Sequence, residues 1–172
     1  MKSTSPSDTV PFGYAYREAS LPGRAALVLA SWFGVGRLPK TPGTFGSLAA
    51  LPAVGLMWVL GPLTGVLFLV VFIGLAVRAA GITEQILEQR DPGVIVVDEV
   101  AGMLVALYLQ PATWGFLAGG FFLFRVFDIT KPFPIRRLER LPGGAGVVLD
   151  DVMAGLYANL VLQAAAILLG CL

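Results

Sequence analysis

Apolar residues fall along this chain in long blocks rather than in the two-residue alternation of strands. Residues 44–60 and 63–80 are near-continuous apolar runs of 17 and 18 residues, parted by Gly61 and Pro62. As helices, each would rise about 26 Å, close to the thickness of a bilayer core. The polar, amphipathic stretch GITEQILEQR (81–90) extends the second run into water. Asp91-Pro92 reads as a helix start, with Asp as N-cap and Pro in the first turn. It predicts a third apolar helix ending near Leu109. Pro111 and Thr113 mark a short turn, a fourth helix follows over 114–128, and a fifth over 147–172. Ahead of these, 21–33 is apolar but too short to span, and fits an interfacial or packed helix. Residues 34–47 are turn-rich, and 1–20 read as an N-terminal tail. The prediction is all-α: a single polytopic membrane bundle over 21–172, with about four to five spans plus short interfacial helices.

Composition supports a bilayer over water. Only 13% of residues are charged and mean hydropathy is +0.81, against about 25% charged in a soluble domain. The placement of those charges is more informative. Eleven of the 12 Lys and Arg and all 11 acids fall in the tail, the loop before Thr44, and the regions 78–99 and 125–151, and the twelfth, Arg24, lies in the short stretch 21–33 beside the tail. The Gly61-Pro62 turn, the Pro111 turn and the C-terminal end carry none. One topology therefore separates a charged face from a blank one, and the excess of Lys and Arg near spans makes the charged face cytoplasmic. A net charge of +1 argues against nucleic acid as a partner. The absence of histidine excludes imidazole acid–base chemistry, histidine metal ligands and phosphohistidine intermediates. The one cysteine, Cys171, forms no internal disulfide and sits in no phosphate loop. The N-terminus has no signal-peptide core and is expected to stay in the cytoplasm.

Acid–base and metal chemistry is left to carboxylates. Asp98 and Glu99 sit inside the third apolar helix, where an ionisable group is costly and marks a functional site by default. Asp128 closes the fourth helix, with Arg125 on the same face and Lys131 just beyond; an Arg–Asp pair ending a helix is the bland reading. Asp150 and Asp151 open the fifth helix. The helix dipole accounts for one acid there, whereas two, followed by Gly155 and Asn159 at four-residue spacing, suggest a polar stripe facing inward. These five carboxylates, at one level of the bundle, read as a Mg²⁺ site, because hard cations take oxygen ligands and no soft ligand is present. A fourth element, TPGTFGS (41–47), puts glycine and hydroxyl residues at a helix N-terminus. Thr41, Gly43, Thr44 and Ser47 there form a candidate anion cradle, although the Walker pattern is absent. Arg136 and Arg137 fit contact with anionic lipid.

PGTFGSLAALP (42–52), DPGVIVVDEVAGM (91–103), FRVFDITKPFPIRRLE (124–139) and GGAGVVLDDVMAGLYAN (143–159) together resemble the phosphatidylglycerophosphatase A family, in order and spacing. The resemblance implies a Mg²⁺-dependent phosphatase of the bacterial inner membrane. Its substrate would be a phospholipid, phosphatidylglycerophosphate, hydrolysed at the cytoplasmic face to phosphatidylglycerol and phosphate. On that reading Asp98, Glu99, Asp128, Asp150 and Asp151 hold metal and carry catalysis with Lys131. Thr41, Gly43, Thr44, Ser47 and Arg125 bind substrate. The nucleophile is either water or an Asp. The rival class is a small transporter or channel with a carboxylate-lined ion path; it predicts charges near mid-bilayer, whereas these lie at helix ends. The Asp-Gly-Ala-Arg signature of CDP-alcohol phosphotransferases is missing.

Overall fold

The computed structural model describes residues 10–39 and 41–171. Residues 1–9 of the expected tail, Lys40 of the turn-rich segment and Leu172 thus lie outside the described residues. Everything regular among the described residues is helical. In chain order the helices are α1 (Phe12–Glu18), α2 (Leu21–Ala30), α3 (Pro42–Ala49), α4 (Leu51–Leu60), α5 (Pro62–Leu87), α6 (Val97–Leu107), α7 (Trp114–Thr130), α8 (Ile135–Leu138) and α9 (Gly144–Leu168), with one 3₁₀ turn at Val35–Arg37. Within the segment read as a tail, α1 packs on α2, and the Arg24 guanidinium donates to the carbonyls of Ala19 (3.0 Å) and Arg17 (2.7 Å).

The run expected as one helix over 44–60 is broken at Ala50, where α3 meets α4. Pro52, in the first turn of α4, has no N–H to continue the ladder and its ring opposes the carbonyl four residues earlier. The Trp32 indole donates to the Ala49 carbonyl at this break, 2.9 Å away. Taken together 42–60 is still 19 apolar residues long, and with the 26 of α5 and the 25 of α9 it gives three segments long and apolar enough to cross a membrane.

Helix α6 is different. At 11 residues it is too short to span, and nine of the 11 are buried, so protein rather than lipid encloses it. It packs against α3, α4, α5, α7 and α9. Glycine makes the tightest of these contacts possible: a Cβ on Gly155 of α9 would overlap the Gly102 carbonyl of α6, and one on Gly102 would overlap the Phe124 ring of α7. Because α6 stops inside the bundle, its last carbonyls need partners. The Asn159 amide donates to the carbonyls of Val105 (3.0 Å), Ala106 (3.1 Å) and Tyr108 (2.7 Å), and Trp58 donates to that of Leu107 at 3.2 Å. The Tyr108 hydroxyl ties the same end to the Pro62 carbonyl at 2.8 Å.

Two predicted helix starts are corrected. Asp91 is not an N-cap: it has φ 45°, and α6 begins six residues later at Val97. The intervening chain is captured by tertiary contacts, the Val96 N–H donating to the Ala30 carbonyl at the end of α2 (2.9 Å). Helix α9 starts at Gly144 rather than Val147, its first turn packed on α5. Asp150 and Asp151 therefore lie nearly two turns inside α9, beyond the reach of a first-turn dipole effect.

Candidate active site

The carboxylates converge at the charged end of the bundle. Helix α6 supplies Asp98 and Glu99 from its first turn, α9 supplies Asp150 and Asp151, and Asp128 comes from the last turn of α7. They surround a chamber of about 190 Å³ with Lys131 and Asp91. Asp98, Asp150 and Asp151 are buried at 8%, 5% and 5% exposure. Neighbours in sequence on one helix point about 100° apart. Each acidic pair resolves this alike: Asp98 Oδ1 accepts from the Glu99 N–H and Asp150 Oδ1 from the Asp151 N–H, both at 3.0 Å.

Two of the five have a cation. Arg125 Nη1 lies 2.8 Å from Asp128 Oδ2, and Lys131 Nζ donates to Asp150 Oδ2 at 2.8 Å. Lys131 also reaches Glu139 at 3.4 Å. Burial pushes the Lys131 pKa down, but the hydrogen bond and charge of Asp150, with Glu139 behind them, outweigh it and raise it above the ordinary 10.5. The lysine is thus a fixed cation at neutral pH. For Asp91 the order is reversed: loss of water raises its pKa, and Lys131 only partly offsets this.

Asp98, Glu99 and Asp151 are the remaining three. Each offers an oxygen, and these atoms all lie within 4.8 Å of one another. No Lys or Arg pairs with them among the described residues, and Glu99 Oε2 is buried without a hydrogen-bond partner. Crowded, buried carboxylates without a counter-charge are unfavourable unless a cation joins them. This cluster could hold a metal ion, and its all-oxygen donor set suits a hard one. Asp128 lines the same chamber as Asp151, beside the cluster.

The glycine-hydroxyl element is brought to the chamber only in part. Pro42 lines it, and a Cβ on Gly43 would overlap a Glu99 carboxylate oxygen and sit 3.2 Å from Arg125 Nη1, so backbone meets site here. Thr41 holds φ 44° at the N-cap of α3 without a side-chain capping bond, and Thr44 is half-buried. The Ser47 hydroxyl turns back on its own helix, donating to the Gly43 carbonyl at 2.9 Å, and is buried away from the chamber. Asn159 serves the end of α6 and not the site. Sequence reasoning missed Asp91, whose Asp-Pro-Gly setting fits a turn as well as a helix start. It also missed Glu139, which no local pattern marks as a partner of Lys131.

Thr41, Asp91 and Lys131, one on each of three segments entering the chamber, all have positive φ, of 44°, 45° and 43°. Such conformations cost non-glycine residues roughly 1–3 kcal/mol each and gather at functional sites. The fold is thus an apolar helical bundle, with three segments long and apolar enough to cross a membrane and a carboxylate chamber at its charged end.

The profile of Phosphatidylglycerophosphatase A matches residues 28–166, and the chain belongs to that family. It is accordingly a phosphatase, and its apolar helices fit a bacterial membrane protein. It is 39% identical over 133 residues to Phosphatidylglycerophosphatase A of Escherichia coli, covering 76% of this chain and 77% of that one. The same-named protein of Haemophilus influenzae is 39% identical over 140 residues, 80% of this chain and 86% of that one. A Bacteroides thetaiotaomicron protein, provisionally named a phosphatidylinositol-3-phosphatase, is 33% identical over 162 residues, 87% of this chain and 98% of that one. No solved structure matches the chain.

Proposed function

We propose that this chain hydrolyses the terminal phosphate of phosphatidylglycerophosphate, releasing phosphatidylglycerol and inorganic phosphate in phospholipid synthesis. It would do so at the cytoplasmic face of the bacterial inner membrane, with Mg²⁺ as cofactor. The observation that carries this reading is the crowded trio of carboxylates with no ion-pair partner among the described residues, Asp98 and Asp151 buried and Glu99 half-buried, at the charged end of the bundle. A lipid headgroup reaches that level while its acyl chains stay in the bilayer.

Asp98, Glu99 and Asp151 would hold Mg²⁺, with Asp128 and Asp150 beside them. When bound, the ion neutralises phosphate charge and lowers the pKa of water. Lys131, held in place by Asp150, donates to a phosphate oxygen as negative charge builds on it. Glu99 Oε2, unpartnered in the chamber wall, accepts the proton of the attacking water. Arg125, beside Gly43, and the backbone N–H groups at the start of α3 orient the phosphate. Thr41 and Thr44 add hydroxyls at that edge, while Ser47 supports the turn through its bond to Gly43. The alternative nucleophile is Asp128, and acid trapping of a phosphorylated aspartate separates the two routes.

Purified protein in detergent is expected to release phosphate from phosphatidylglycerophosphate with Mg²⁺ and to stop in EDTA. The name of the Bacteroides thetaiotaomicron relative makes phosphatidylinositol 3-phosphate the comparison substrate. A clear preference for that lipid would replace the headgroup assigned here. Activity unaffected by EDTA would sink the metal assignment.

A further inference from the structure

A second cavity, of about 300 Å³, lies beside the carboxylate chamber and shares Asp91, Val147 and Asp150 with it as walls. Arg90 and Glu139 line its outer part, and a continuation bounded by Arg90, Arg136, Glu139 and Arg140 opens from there. The charge of this outer continuation is opposite to that of the chamber. Three guanidinium groups surround one carboxylate, and that carboxylate, Glu139, already faces Lys131 at 3.4 Å. Arg90 donates to the Glu139 backbone carbonyl at 2.8 Å and Arg136 to that of Thr130 at 3.4 Å. Neither these two nor Arg140 has an ion-pair partner among the described residues. Arg137, by contrast, is spent on the Phe133 ring, 4.7 Å from its centroid. A guanidinium carries five donors in a fork that matches phosphate. The outer continuation therefore holds surplus positive charge and unused donors, separated from the carboxylate chamber by the cavity whose walls are Asp91, Val147 and Asp150.

Phosphatidylglycerophosphate and phosphatidylinositol 3-phosphate share one chemical plan. Each has a phosphodiester next to the diacylglycerol and a separate monoester on the polyol, and only the monoester is cleaved by a phosphatase. We propose that the vestibule of Arg90, Arg136 and Arg140 binds the phosphodiester of such a two-phosphate headgroup while the monoester occupies the carboxylate chamber. The arginines then select lipids that carry a diester over lipids with a single phosphate. This rests on the reading of the chamber as the hydrolytic site.

The test compares the whole protein with its Arg90→Gln and Arg140→Gln variants in micelles of a neutral detergent, where no bulk anionic lipid is present. Both side chains are exposed, so the variants are expected to fold. Three lipids are used: phosphatidylglycerophosphate, phosphatidylinositol 3-phosphate, and phosphatidic acid, whose single phosphate is a monoester. Phosphatidic acid is read as substrate or, if it is not turned over, as competitive inhibitor. Loss of a charged hydrogen bond is expected to raise KM for the diester-bearing lipids about tenfold or more with kcat little changed, while the KM or Ki of phosphatidic acid shifts less than about twofold. The larger effect on one of the two diester lipids identifies the headgroup. An equal rise for all three lipids would overturn the proposal and make the arginines a general lipid-facing surface, and no rise for any would overturn it too. A wild-type protein inactive on both diester lipids would instead remove the hydrolytic reading beneath it.

Discussion

At the scale of single residues, the site sets stability against function. Asp98, Glu99 and Asp151 crowd together with no ion-pair partner among the described residues, so removing one charge relieves repulsion as it removes a proposed metal ligand. In EDTA, Asp151→Asn is expected to be more stable than wild type, by about 0.5–2 kcal/mol, the range seen when a functional compromise is undone. Its turnover should fall by at least about 10²-fold. Mg²⁺ should raise the melting temperature of the wild type but not of the variant, as read by thermal unfolding in detergent. Lys131 behaves in the opposite way. Its folded-state pKa lies above the ordinary 10.5, so its contribution to stability is fully present below that value and is lost as pH rises through the folded one. Stability is thus expected to be insensitive to this group between pH 7 and 9 and to fall in strong alkali. Lys131→Met should lose that alkaline fall, and should be destabilised at pH 7 by about 1.5–3 kcal/mol through the stranded Asp150. A pH 7–9 transition removed by Lys131→Met would contradict the assignment.

At the scale of elements, two glycines let α6, α7 and α9 close on the site. Gly155 lies one turn after Asp151, against the Gly102 carbonyl. Gly155→Ala must push α9 from α6, and overpacking of this kind costs about 1–3 kcal/mol. Because Asp98 and Asp151 sit on the two helices being parted, activity should fall as well. Gly74 in α5 is the control, since nothing lies within 4 Å of a Cβ there. Gly74→Ala should be neutral or stabilising by about 0.5–1 kcal/mol, with activity unchanged. Equal effects of the two substitutions would show that helix propensity, and not the helix crossing, is being measured. The carboxylates were legible in the sequence because charge inside an apolar helix is conspicuous. Two further acids were not. Asp91 reaches the chamber from a turn whose path is set by contacts such as Val96 to Ala30, and Glu139 meets Lys131 from beside the chamber, and no local pattern encodes either.

At the scale of the whole molecule, the bundle has a polar and a blank end. Cys171 is the one cysteine, is exposed, and lies just beyond α9 at the blank end. In cells, a membrane-impermeant maleimide is expected to label Cys171 from outside. Arg140→Cys in a Cys171→Ser background should label only after the membrane is permeabilised. The reverse pattern would place the chamber on the outer face. The short α6 also bears on the whole. It is enclosed by neighbouring helices and its terminal carbonyls are satisfied by Asn159 and Trp58, so it holds Asp98 and Glu99 without having to cross the bilayer itself.

The sequence by itself determined the all-helical membrane class, the division into charged and blank ends, and that the acids within the helical region gather at the charged one. Hydropathy and charge are local properties, and the bilayer reads them segment by segment. Only the tertiary structure decided where helices begin and break, that Asp98, Glu99 and Asp151 form the cluster while Asp128 and Asp150 are held by cations, and that Ser47 and Asn159 satisfy backbone carbonyls. Those outcomes depend on distances between segments far apart in the chain. Such distances are set by how closely glycine-faced helices approach and by where buried polar groups find partners.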